Sequence, residues 1–272
     1  MTAPPAAYSP LSIINDEADR IVATGAVDQT QFRRLRWWVT YGSMTYQFAA
    51  GVAVLVCMIV FPSARDSLRG TLCAQKLDPA TGDPVLHCDT HWAMGFSLPV
   101  PFLMGFAADL YNVLRSDDHM LMLAQQDFYR RWIEFLVVHC VFFLQLSSLS
   151  GMAVFSQVAA QVLLFATAHL CLLMPFKAPV RYGAALWVAA SALLIEAFTE
   201  SFSHYATWLQ AYVISALCLL ALFPALRLYF IERFGRDTKN VDTYVRFEFG
   251  YIVLALLVRS ALTFQLFGAL RF

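Results

Sequence analysis

Arg259 lies near the middle of a long apolar run, Glu248 to Phe267, that reads EFGYIVLALLVRSALTFQLF. A guanidinium at such a depth in a bilayer costs roughly 2.5–3.5 kcal/mol on insertion scales. It cannot lose its proton to escape that cost. It must therefore face protein or water and hold a partner. Other ionisable residues also stand in apolar surroundings. Asp109 lies in LPVPFLMGFAADLYNVL, Glu134 and His139 in YRRWIEFLVVHCVFF, and His169 in LLFATAHLCLL. Two kinds of chemistry follow. A carboxylate can neutralise the guanidinium and hold it in place. Alternatively, titratable groups along one path carry protons, and Arg259 then blocks cations electrostatically. Arg131 and Glu134, three residues apart, share a helix face. His139 is displaced from Glu134 by about 140° at 3.6 residues per turn. Asp109, near Asn112 and Arg115, is either an intramembrane site or an interfacial acid reaching lipid headgroups or loop donors. His169 reads as a satisfied polar residue.

The elements that must position these groups are membrane spans. Of 272 residues, 59% are hydrophobic and 14% charged, and Phe occurs 23 times. The mean hydropathy is +0.59. Such a composition belongs to a multi-pass, all-α membrane protein. A net charge of zero with no basic run excludes nucleic acid as a partner. Seven apolar segments fall at about 37–62, 94–115, 126–148, 152–175, 180–202, 207–231 and 247–270. Fourteen of the 19 Lys and Arg lie on the side of the N-terminus and four on the other, with Arg259 between them. That bias predicts a cytoplasmic N-terminus and an external C-terminus.

Two regions divide the chain: a cytoplasmic tail over 1–36, and a seven-span bundle over 37–272 with one long external loop at about 63–93. The tail shows no secretory signal peptide. It begins Ala/Pro-rich, has a possible helix over 11–36, and ends in FRRLRWW, an interfacial anchor in which Trp37 and Trp38 mark the boundary. The external loop contains KLDPATGDPVLHC, whose turn formers predict a β-hairpin. Cys73 and Cys88 flank it and are disulfide candidates. His87 and His91 lie nearby with too few further ligands for a metal site. Pro99 and Pro101 are expected to kink the second span or open its outer end, and Pro224 to kink the sixth. Glu196 and Glu200, at the outer end of the fifth, are expected to be wet. No HExxH, GxSxG or paired-Asp motif appears, so no enzyme is expected.

Seven spans with an ionisable residue midway along the last is the plan of a retinal-binding opsin. The chain resembles the heliorhodopsins over nearly its whole length. RRWIEF looks like that family's Arg-Trp-x-Glu-Tyr motif, and EFGYIVLALLVRSALTFQLFGAL looks like its last helix. KLDPATG resembles its first external loop, which forms a hairpin at a dimer interface. The family's inverted topology agrees with the charge count. The resemblance implies a rhodopsin-like bundle, retinal as cofactor, and a light-responsive dimer that does not pump ions. It places Glu134 at the counterion position and Arg259 at the lysine that binds retinal. His139, Asp109 and Trp187 fall around the same pocket.

The departures cluster there. Arg259 is not an amine that can form a Schiff base. The family's histidines in spans one and two are absent, with Asp109 near the place of the second. Bulkier Val137, Val138, His139 and Cys140 replace small hydroxyl residues. One expectation is thus a sensory or regulatory membrane protein without covalent retinal, held by a Glu134–Arg259 bridge and acting through a cytoplasmic partner not named by the sequence. A second is a retinal-binding photoreceptor in which Arg259 stands for an engineered or mis-encoded lysine. A third is an ion channel or transporter.

Overall fold

A computed structural model describes residues 40–61, 69–77, 84–115, 129–150, 152, 154–174, 176–204, 206–234 and 241–268. The expected tail helix, the FRRLRWW anchor and the tip of the external loop at 78–83 lie outside these residues. So do the side chains of Arg131, His87 and His91.

Seven helices are long and apolar enough to cross a membrane. They are α1 (Gly42–Val60), α2 (Val100–Leu114), α3 (Tyr129–Leu149), α4 (Phe155–Leu173), α5 (Lys177–Ser201), α6 (Thr207–Arg233) and α7 (Val241–Gly268). The chain is thus a multi-pass membrane protein built on a seven-helix bundle. The physical reason for helices is the solvent. Lipid offers no hydrogen bonds, so each segment must satisfy its own backbone. Helix α7 begins six residues before the 247 expected from hydropathy, because Val241–Arg246 is too charged to register as apolar yet continues the helix.

Consecutive helices pack against one another, and α7 returns to α1 to close the ring. Helix α3 touches α2, α4 and α6, and with α7 it is the most buried of the seven. Small residues allow the close approaches that membrane helices need. A Cβ on Gly183 of α5 would lie 2.7 Å from the Ala168 carbonyl oxygen of α4. At the ends away from the membrane centre, Arg181 of α5 forks onto Glu232 of α6, with Nε–Oε1 at 2.6 Å and Nη2–Oε2 at 3.0 Å.

Between α1 and α2 runs an antiparallel hairpin, β1 (Arg69–Leu77) and β2 (Pro84–Ala93), and β1 packs against α3 and α4. Its register shifts between Leu72↔Thr90 and Ala74↔His87, which sets Cys73 opposite Cys88 and Asp89 in the ladder. A 3-10 turn at Met94–Ser97 then leads into α2. Pro99 precedes that helix and Pro101 lies in its first turn, where a missing N–H costs no hydrogen bond. The two prolines thus mark the start of the helix and do not interrupt it. Helix α6 runs through Pro224 from Thr207 to Arg233. Glu196 and Glu200, near the C-terminal end of α5, are exposed.

Candidate functional site

Helix α7 carries apolar residues on every side, but its two faces differ in burial. Ile252, Ala255, Arg259, Leu262 and Leu266 are buried at spacings of three and four, whereas Val253, Leu257 and Phe264 are exposed. Arg259 thus rides the stripe that faces the other helices. Only 2% of it is exposed.

Its guanidinium is shared between two acceptors. Nη2 donates to Glu134 Oε1 of α3, and Nη1 donates to Gln47 Oε1 of α1. The Gln47 amide then turns its Nε2 to Asp109 Oδ2 of α2 at 2.8 Å and to Ser43 Oγ at 2.8 Å. Ser43 Oγ closes the triangle by donating to Asp109 Oδ2 at 2.6 Å. One polar cluster therefore joins α1, α2, α3 and α7. All five residues are buried, Asp109 completely. Asp109 is thus held inside the bundle by Ser43 and Gln47 of α1. A charge-assisted, mutually bonded cluster is the form in which ionised groups persist in a bilayer interior.

Gly105 of α2 makes the cluster possible. A Cβ there would sit 1.6 Å from Gln47 Oε1 and 2.0 Å from Arg259 Nη1. Any side chain would occupy the space in which the guanidinium meets the amide.

His139 does not join this cluster by a hydrogen bond. Its Nδ1 lies 2.6 Å from His169 Nε2, and His169 Nδ1 lies 2.9 Å from the Phe165 carbonyl oxygen. The carbonyl can only accept, so His169 Nδ1 donates. Its Nε2 is then the acceptor for His139 Nδ1–H, so His169 is satisfied at both nitrogens while both rings stay neutral. The expectation of a satisfied His169 holds, with His139 as a partner not foreseen. Around the pair stands an aromatic wall. His139 lies 4.5 Å from Phe223 and 5.8 Å from Phe135 between ring centroids. Trp187 of α5 packs edge-on to Phe143 and Phe165, at 6.3 and 6.0 Å.

A second buried arginine was counted above among the charges at helix ends. Arg227 of α6 is fully buried. It donates through Nε to the Leu172 carbonyl at 3.0 Å and through Nη2 to the Met174 carbonyl at 3.1 Å. These are carbonyls at the C-terminal end of α4, which lack intrahelical donors and carry the negative end of the helix dipole. Trp132 lies 5.9 Å from its guanidinium carbon.

The groups brought together therefore exceed the sequence expectation by Ser43, Gln47 and Gly105 in the cluster, and by Arg227 beside α4. A signal existed for two of them: Ser43 and Gln47 are polar residues four apart in an apolar span. On the hairpin, Cys88 is exposed and disulfide-bonded, while among the described residues Cys57, Cys140, Cys171 and Cys218 are free. The side chain of Cys73 lies outside the described residues.

No family model and no curated protein matches the chain. The fit to retinal can still be judged from the chemistry of the site. A Schiff base requires a primary amine that can lose a proton. Arg259 offers a guanidinium already engaged by Glu134 and Gln47, so the residue set does not fit covalently attached retinal.

Proposed function

We propose that the chain is a sensory or regulatory membrane protein of heliorhodopsin type that has exchanged its covalent chromophore for a permanent ion pair. The observation that carries this reading is the Arg259 guanidinium bonded to Glu134 and Gln47 inside the bundle. A protonated Schiff base and a guanidinium place one positive charge in the same position, and Glu134 neutralises either. The charge pattern is kept and the link to retinal is lost. On this reading the protein neither pumps ions nor catalyses a reaction. It is a homodimer through the external hairpin, with its N-terminus and its signalling partner in the cytoplasm. A proton-transporting role is less well supported, because a guanidinium stands in the middle of the polar cluster and does not titrate.

Adding all-trans retinal to the purified protein tests the proposal. No red-shifted visible band should form in the wild type. A band that survives washing and is bleached by hydroxylamine would overturn it. Arg259→Lys, combined with Gln47→Ala to free the amine, should gain such a band.

A further inference from the structure

One hydrogen-bond direction in the polar cluster fixes the others. Arg259 has donors only, so the end of the Gln47 amide that meets Nη1 must be its oxygen. The other end, Nε2, is a pure donor, and it reaches Asp109 Oδ2 at 2.8 Å and Ser43 Oγ at 2.8 Å. Ser43 Oγ, which receives a hydrogen from Gln47, gives its own to Asp109 Oδ2 at 2.6 Å. Two hydrogens thus converge on one carboxyl oxygen, and hydrogen bonds donated to a carboxylate favour its charged form. The guanidinium strengthens them. A charge drawing on Gln47 Oε1 polarises the amide and makes its N–H groups better donors.

We infer that Asp109 is a second anionic partner of Arg259, a positioning residue that acts through the Gln47 amide. An amide can present either end to a neighbour, and here the choice is forced from both sides. Turning Gln47 over would set its oxygen against the Asp109 carboxylate and its N–H groups against the guanidinium, and both bonds would be lost. Asp109 therefore keeps Gln47 Oε1 on Arg259, and Ser43 holds the carboxylate in place. The guanidinium is fixed between two carboxylates on different helices, Glu134 of α3 directly and Asp109 of α2 by way of α1. The inference rests on the reading of Arg259 as a permanent charge, and it assigns the half of that charge's hold that Glu134 does not supply.

Of the chain's aspartates, Asp109 alone falls within the seven spans, so an aspartate label isolates it from Glu134. The experiment takes the full-length protein in nanodiscs, without retinal and with isotope-labelled aspartate carboxyls, and records its infrared spectrum at neutral pH. The wild type should show no protonated aspartyl carbonyl. Arg259→Met and Gln47→Met should each bring out such a band, equal to one carboxyl per protein, and adding Asp109→Asn should remove it. A band in the wild type that Asp109→Asn removes overturns the proposal, because a neutral acid brings no charge. So does a band in Arg259→Met with none in Gln47→Met, since Asp109 then answers Arg259 without the amide, and so does the absence of a band in both. Variants are read where they keep the wild-type elution profile and helical circular dichroism. Where Gln47→Met does not, Gln47→Asn, too short to bridge, takes its place, and the wild-type spectrum decides the charge in either case. Retinal plays no part here, so pigment formation by the wild type would overturn the reading of Arg259 and leave the measured charge of Asp109 as it stands.

Discussion

Removing one member of the Arg259–Glu134 pair leaves the other charge buried, which costs about 3–5 kcal/mol in such sites. Arg259→Met and Glu134→Leu should each lower stability by that order in reversible unfolding from detergent micelles. The double variant should lose far less, because two apolar side chains replace two paired charges. A second prediction concerns Gly105. An added Cβ would lie 1.6 Å from Gln47 Oε1, so Gly105→Ala should destabilise by about 1–3 kcal/mol or more. In an Arg259→Met, Gln47→Ala background the same change should be tolerated, and equal losses in both backgrounds would show that the contact is not what excludes the methyl. These two residues also mark what could be read beforehand. The Glu134–Arg259 bridge was legible because an ionised group in an apolar run announces its need for an opposite charge. Gly105 was silent, since its role depends on two side chains from other helices meeting above it. Gln47 fell between: a neutral amide in a span costs little enough to pass unnoticed, yet here it links the guanidinium to Asp109.

The helix ends tell a related story. Arg227 looked like one more basic residue near the cytoplasmic end of a span, but it turns inward and binds the last carbonyls of α4 at 3.0 and 3.1 Å. Hydropathy locates spans and says nothing of which basic residue folds back into the bundle. The same limit applies to α7, whose buried and exposed stripes are both apolar. Only Arg259 identified its inner face. The hairpin was more legible, because Asp, Pro, Gly and Thr between two extended segments specify a reversal locally, without help from the rest of the fold. The role assigned to Arg227 predicts that Arg227→Met weakens the α4–α6 junction. Hydrogen bonds from a charged donor are worth about 1.5–3 kcal/mol each. The loss should appear as faster amide exchange in the last turn of α4 and at the start of α5, with the Arg259 cluster unaffected. Uniform acceleration across all seven helices would mean that Arg227 supports the whole bundle and not this one helix end.

At the scale of the molecule, two independent features bear on how the bundle sits in the membrane. One is the excess of Lys and Arg on the side of the N-terminus, which survives the removal of buried Arg227 from the count because the other side has only four. The other is the disulfide at Cys88, on the hairpin at the opposite end of α1 from the N-terminus. Disulfides persist in oxidising compartments and are rare in the cytosol. Both support the proposed orientation, with the hairpin outside and the N-terminus within. The prediction is that, in intact cells, an impermeant protease removes an epitope tag fused after Phe272 and leaves a tag before Met1 untouched until the membrane is opened. The reverse pattern would put Cys88 in the reducing cytosol and the basic loops outside, against both arguments at once. It would also move the α2–α3 end of the polar cluster to the external face, and with it the surface on which any signalling partner has to be sought.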